Sequence, residues 1–413
     1  MSNNPFQHTF YLKQHSPLLH FLHEQPGATL RATELKPKLD RFIIEHLAKE
    51  KGKQEEESNL AFMKRMFPNW LVGGEKAEHA ALDYKMKIEI EGTPEKYLVA
   101  NNLSGRVIDY LQRKEIFFKK DMPYFADDHA IKELEKKGLG IHDLIDAKQA
   151  LVFSEETSIK MCVFSLKEKL LKQIVKELPY LLAYHNFGAR KSKGFGCFSL
   201  DYTTIDDFED MLRKHPTYRY ALFLETPREG LFDKLKIINK TYQMLKSGIG
   251  DNESLLKLYC EELDIYWEKD TIIGELVIRR GQPNQVDYSF EPDIKFIRAL
   301  LGLAEQYEFP QNKRTNVKKV KIEHLREDQD LIERFASPIR FKIFEDTIYI
   351  LYDLIDDRLF DAKFKFTQIH NRAGQNVHSI IIETPSKDTG FNLLNFISTK
   401  INDAIYDNKW EEL

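Results

Sequence analysis

The chain has 413 residues, 42% apolar and 31% charged, and a net charge of −4. That length exceeds one ordinary core and points to two or three domains, and the composition excludes a disordered chain. The charge excludes a whole-protein basic field, so a nucleic-acid partner would have to be held by local patches. Three cysteines (Cys162, Cys197 and Cys260) lie far apart and outside any CxxC or Cys/His cluster. They offer neither a disulfide framework nor a zinc signature, and they fit a reducing cytoplasm. The opening MSNNPFQHTF has no charged n-region and no apolar h-region, and no apolar run reaches the length of a membrane span.

Residues 8–14 (HTFYLKQ) alternate as a short strand, followed by a loop through residue 31. Residues 32–50 have helical spacing, with Leu35, Leu39, Phe42, Ile43, His46 and Leu47 on one face. Thr33 is the expected N-cap, and Pro37 is expected near the first turn, where proline costs little. Residues 84–91 (YKMKIEIE) alternate with period two and predict a second strand. Residues 101–150 show no clear period, carry Arg106, Arg113, Lys114, Lys119 and Lys120, and are read as an insertion. A strand is expected at 159–164, then a helix at 167–184 kinked by Pro179, then a strand at 195–202.

Between that helix and that strand lies NFGARKSKGFGCF, where Gly188, Gly194 and Gly196 bracket Arg190, Lys191 and Lys193, with Phe187, Phe195 and Phe198 interleaved. Glycines admit positive φ and a close approach to the backbone, so that amide N–H groups can meet a phosphate. The cations would neutralise phosphates and an aromatic could stack a base. The plainer alternative is a helix cap followed by a glycine-rich turn.

The order β-α-β-β-α-β is the ferredoxin-like (RRM-like) pattern. In the second half, strands are expected at 219–225, 338–344 and 347–353, the last two as a hairpin across Glu345-Asp346, and at 377–384. Helices are expected at 231–246, 252–269, 293–308 and 391–406. This reads as α+β, with two ferredoxin-like domains. The first covers 1–205 with an insertion around 101–150, the second 215–413 with a helical insertion around 251–335. Residues 311–321 (QNKRTNVKKVK) hold five cations and no acid, either a solvated loop or a phosphate-tracking segment.

A strand, a proline loop and then GATLRATELKPKLDRF, followed later by FGARKSKGFGCF, resembles the RAMP superfamily of CRISPR-associated proteins. In that superfamily a G-x-[RK]-x-[RK]-G-[FY]-G loop is diagnostic. RFASPIRF at 334–341 is similar to the Ala-Ser-Pro segment in the first subunit of type III-B Cmr effector complexes. The opening helix lacks the tryptophans usual in that subunit. The resemblance implies an RNA-binding subunit of a ribonucleoprotein in antiviral defence, contacting guide RNA or a guide–target duplex beside other RAMP subunits, in the cytoplasm and with no cofactor. Carried onto this sequence, Arg190, Lys191 and Lys193 would hold phosphates, Gly188, Gly194 and Gly196 would shape the loop, and Arg31, Lys36 and Lys38 would form the facing lip.

The alternative within the same superfamily is a metal-independent endoribonuclease that processes repeat RNA. His20 or His23 would then act as general base, with Lys36 or Arg31 steadying the transition-state charge. Glu24 is the only carboxylate in the loop where related backbone subunits use an aspartate to cut target RNA. Asp127, Asp128 and His129 adjoin one another, but neighbours at i, i+1 do not converge on one ion, and no metal site is read. A third reading is a structural protein with two such domains and no RNA partner.

Overall fold

The computed structural model describes residues 4–19, 30–92, 95–99, 117–119, 149–152, 158–214, 220–226, 230–276, 294–303, 306–308, 319–325, 335–369, 379–404 and 411–412. The first half runs β1 (Gln7–Gln14), α1 (Ala32–Glu50), α2 (Asn59–Met66), β2 (Lys85–Glu91), β3 (Ser158–Phe164), α3 (Glu168–Tyr184), β4 (Phe198–Leu200) and α4 (Ile205–Lys214). Its sheet has the order β2-β3-β1-β4 with every pair antiparallel. Alternation sets the faces: Phe10, Leu12, Ile159, Met161 and Val163 point inward and are buried with the apolar stripes of α1 and α3. Short strands within 95–99, 117–119 and 149–152, with Leu18–Leu19, form a separate small sheet. The rest of the insertion read at 101–150 lies outside the described residues.

The second half repeats this order. β5 (Tyr220–Glu225) leads to α5 (Leu231–Lys246), and after an insertion come β7 (Ile339–Phe344) and β8 (Thr347–Tyr352), then α8 (Leu393–Lys400) and β11 (Glu411–Glu412). The sheet order is β7-β8-β5-β11, again antiparallel throughout. The insertion supplies α6 (Leu255–Glu261), α7 (Glu268–Leu276) and β6 (Lys319–Leu325). β6 pairs with the short strand Gln306–Glu308 and with β9 (Lys363–Ile369), which pairs with β10 (Ser379–Glu383), forming a further four-stranded sheet over its own core.

Several elements differ from their sequence reading. α1 begins at Ala32, with Arg31 extended in the N-cap position and Thr33 exposed inside the helix, because the Arg31 carbonyl already accepts from Glu34 and Leu35. Pro37 therefore lies beyond the first turn, on the exposed side, where the carbonyl it strands can meet water. The strand expected at 195–202 is only Phe198–Leu200, since Phe195 and Cys197 turn into the core of the second half. The helix expected at 252–269 stops after Glu261; Asp264 at φ +58° turns the chain into the short strand Tyr266–Trp267.

The amphipathic helix expected at 293–308 is absent. Residues 297–301 form a 3-10 turn between the short strands Ile294–Lys295 and Gln306–Glu308. Phe296 through Leu301 are all buried, Arg298 on Glu268 included, so the segment presents no face to solvent. The Tyr242 hydroxyl donates to the Leu301 carbonyl at 2.9 Å, and Gly302 at φ +103° ends the turn. α2 and α4 have no counterpart in the sequence reading.

The halves are joined at the C-terminus of α3 and at the β7–β8 turn. The ammonium of Lys342, a fully buried side chain on β7, donates to the carbonyls of Leu182 and His185 and to Asn186 Oδ1. Arg340 Nη1 donates to the Tyr184 carbonyl at 2.6 Å. Cations thus satisfy the carbonyls that a helix end leaves over, at its negative pole. Burial pushes the Lys342 pKa down to about 8. Phe344 stacks on Phe208 of α4 at 4.3 Å, and the Tyr349 hydroxyl donates to Glu209 Oε1 at 3.1 Å.

His15, at the end of β1, sits against Phe344 at 4.6 Å. Its Nδ1 accepts from the Glu345 amide at 3.2 Å and its Nε2–H donates to Ser199 Oγ at 2.8 Å, the tautomer these partners require. Burial, with Lys342, Lys13 and Lys234 nearby, lowers the His15 pKa from 6.5 to about 3.

Two outcomes follow. Lys342→Met strands buried acceptors and should lower stability by at least about 1–3 kcal/mol, read as a fall in the urea midpoint. For His15 the unfolded chain takes up the proton first, so its contribution is present above pH 6.5 and lost as pH falls toward 3. His15→Gln should therefore be less stable than the parent at pH 7, with the gap narrowing in melts taken down to pH 4.

Candidate nucleic-acid interface

The glycine loop leaves α3 at His185 and is folded by its own backbone. The Phe187 amide donates to the Gly196 carbonyl at 2.9 Å, and the Lys193 amide to the Arg190 carbonyl at 2.8 Å. Asn186 Nδ2 donates to the carbonyls of Lys191 at 2.6 Å and Phe341 at 2.8 Å, tying the loop to β7. The Gly196 amide donates to the Pro17 carbonyl at 2.9 Å, and the Cys197 amide to Ser16 Oγ at 2.9 Å.

All three glycines have positive φ, and so does Arg190 at +55°. A Cβ at Gly196 would lie 1.9 Å from the Phe187 carbonyl oxygen, and one at Gly194 would lie 2.6 Å from Ile238 Cδ1 on α5. These two glycines let the loop close on itself and seat against the second half.

Gly188 is the one that faces α1. Its amide donates to Glu34 Oε1 at 2.8 Å, and the same oxygen accepts from Lys38 Nζ at 2.7 Å. A carboxylate thus occupies the place where the loop meets an anion. Around it stand Lys191, exposed, together with Lys38, Arg340 and Arg41. Partial burial of this otherwise exposed side chain lowers the Lys191 pKa, and Lys38, Arg340 and Arg41 lower it further against the opposing pull of Glu34. His185 beside them is held well below its usual pKa by burial and by Arg340, Lys342, Lys191 and Lys38. It remains a neutral ring edge-on to Phe42 at 5.9 Å.

Of the residues picked from sequence, Lys38, Gly188 and Lys191 come together here. Lys36 turns away to Asp40 Oδ2 at 2.8 Å and the Leu82 carbonyl at 2.9 Å, bracing α1 on the segment before β2. Lys193 runs inward, its ammonium over the Tyr242 ring, and its pKa falls well below the lysine range through burial, with Lys246 and Arg190 adding repulsion. Arg190 carries the tight turn with a buried Nε, and Arg31 holds the N-cap of α1, its Nε likewise buried. His20, His23 and Glu24 lie outside the described residues, as do Lys313, Arg314, Lys318 and the Asp127–His129 triplet.

Sequence reasoning missed Arg340 and Glu34 as members of the site. Arg340 follows the Ala-Ser-Pro segment by two residues, and Glu34 precedes Lys38 by one helical turn.

Gly196→Ala should prevent the loop from closing. We expect a loss above ~2 kcal/mol, from the left-handed backbone and the contact with Phe187, read by thermal unfolding.

Residues 6–249 match the family model described as the Cmr1 N-terminal domain, and residues 251–412 that of the Cmr1 C-terminal domain. Among solved structures, the apo crystal structure of Cmr1 from Pyrococcus furiosus is similar over 98% of this chain and 98% of its own, at 14% identity and a TM-score of 0.42. No curated protein matches the sequence. No described helix is long and apolar enough to cross a membrane.

Proposed function

The chain belongs to the Cmr1 family, and from that premise we propose that it is the RNA-contacting subunit of a type III-B Cmr effector complex. It would work in antiviral defence in the cytoplasm, beside other RAMP subunits, holding guide RNA or the guide–target duplex. The repeated strand order, with a helix after the first and third strands of each sheet, supports reading residues 1–205 and 215–413 as two ferredoxin-like domains.

The observation that carries the reading is the cation cluster around Gly188. Lys38, Lys191, Arg340 and Arg41 gather on three elements with one carboxylate among them, and Lys191 projects into solvent. Such a patch suits a phosphate backbone, and it gives affinity without sequence preference. Glu34 would act as a placeholder that keeps the cations together until a phosphate takes over the Gly188 amide and Lys38. The endoribonuclease alternative rests on His20 and His23, which lie outside the described residues; His15, five residues before His20, is enclosed and held neutral by its partners.

Lys191→Gln and Lys38→Gln should each weaken RNA binding a few-fold on every sequence tried and flatten the salt dependence by about 0.7 in log–log slope. Glu34→Gln should raise affinity, while Lys36→Gln should leave RNA affinity alone and lower stability. Filter binding across a salt series measures all four. Loss confined to one RNA sequence, or no change in the two loop-facing lysine variants, would sink the assignment.

A further inference from the structure

The first sheet has a second face, turned away from α1 and α3. Its outward residues on the central strands include Tyr11 on β1, 44% exposed, and Lys160 and Phe164 on β3, both half-buried. The register puts Tyr11 directly beside Lys160, and Phe164 beside Lys85 of β2. Lys87 lies in the row between them, with 72% of its side chain exposed. Successive rows on one face of a strand are about 7 Å apart, so aromatics and cations alternate over a span of a few nucleotides.

A lone exposed aromatic is ordinary. Here two aromatics share an open face with Lys85, Lys87 and Lys160, against Glu89, which pairs with Lys87, and Glu91 at the far end. Lysine is depleted at protein–protein interfaces, whereas aromatic rings beside cations on a four-stranded sheet are the platform on which single-stranded RNA stacks its bases. The apolar content of the face is therefore better matched by bases than by a protein partner, and its cations by phosphates.

We propose that this open face is a second RNA contact, specific for single strands. Bases stack on Tyr11 and Phe164, and phosphates run along Lys85, Lys87 and Lys160. The inference rests on the reading of the chain as an RNA binder and separates two surfaces within it. The glycine-loop patch recognises backbone charge in any form of RNA. The sheet face needs unpaired bases, because a duplex keeps its bases stacked on one another.

The test is fluorescence anisotropy of the whole protein with one labelled unstructured RNA, alone and annealed to its complement. Tyr11→Ala should weaken the single strand about tenfold and leave the duplex unchanged. Lys160→Gln should weaken the single strand less, and Lys191→Gln should weaken both. Melting curves check that Tyr11→Ala, an exposed position, keeps parental stability. Parental single-strand affinity in a stable Tyr11→Ala protein overturns the sheet-face assignment, as does an equal loss on both RNAs. So does normal RNA binding by that variant combined with loss of a partner subunit, which makes the face a protein interface. If the parent protein binds neither RNA, the RNA reading itself fails and takes this one with it.

Discussion

The capture of one helix end by two cations organises this molecule. α3 stops at Tyr184, and its last carbonyls meet Lys342 and Arg340 from the first strand of a hairpin far along the chain. Burying an ammonium as completely as that of Lys342 is unfavourable unless every proton has an acceptor. The helix terminus supplies those acceptors, and the lysine in turn relieves carbonyls that no helical N–H can reach. The exchange is local, but its consequence is global. It fixes where β7 lies against the first half, and the glycine loop is threaded through the gap that remains.

That constraint explains the division of labour within the loop. A segment squeezed between two cores cannot offer all its residues to a ligand. Gly194 and Gly196 are used up in close approach to α5 and to the loop's own backbone, and Lys193 lies along Tyr242. Only the first turn, around Gly188 and Lys191, faces outward. Asn186 and the Arg340–Tyr184 bond hold that turn beside α1, which brings Lys38 and Glu34 into reach. The cations at the patch are therefore positioned by the seam, and loosening the seam would scatter them before it unfolded either sheet.

Much of the architecture was legible in the sequence because it rests on short-range regularities. Period-two runs marked β1, β2 and β3, and helical spacing marked α1, α3 and α5 to within a residue. The 3-10 segment around Arg298 misled because its polar and apolar residues fit a helical spacing that the fold does not use. Its conformation is set by Tyr242 and Gly302, which lie outside the pattern. At the site, residue type was readable and direction was not. Lys36 and Lys38 are two positions apart and point to different neighbours, and Lys191 and Lys193 part in the same way. Arg340 was invisible as a member of the patch because the contact that brings it there spans the two halves.

The placement of Glu34 bears on how a chain of net negative charge can keep a cation cluster at all. Four cations at close quarters repel, and that repulsion adds to burial in lowering the Lys191 pKa. A carboxylate bonded to both Lys38 and the Gly188 amide offsets part of it and gives the amide a partner in the absence of a ligand. On the proposed reading, a backbone phosphodiester arriving there would carry the same single charge as the carboxylate and two non-bridging oxygens, so it would satisfy the same donors while the next phosphates of the strand met further neighbours. The site would then be preorganised by an intramolecular stand-in for the proposed ligand. On that reading its affinity would be set by the difference between two anions rather than by the full attraction of the cations, which would keep binding reversible while the patch stays assembled.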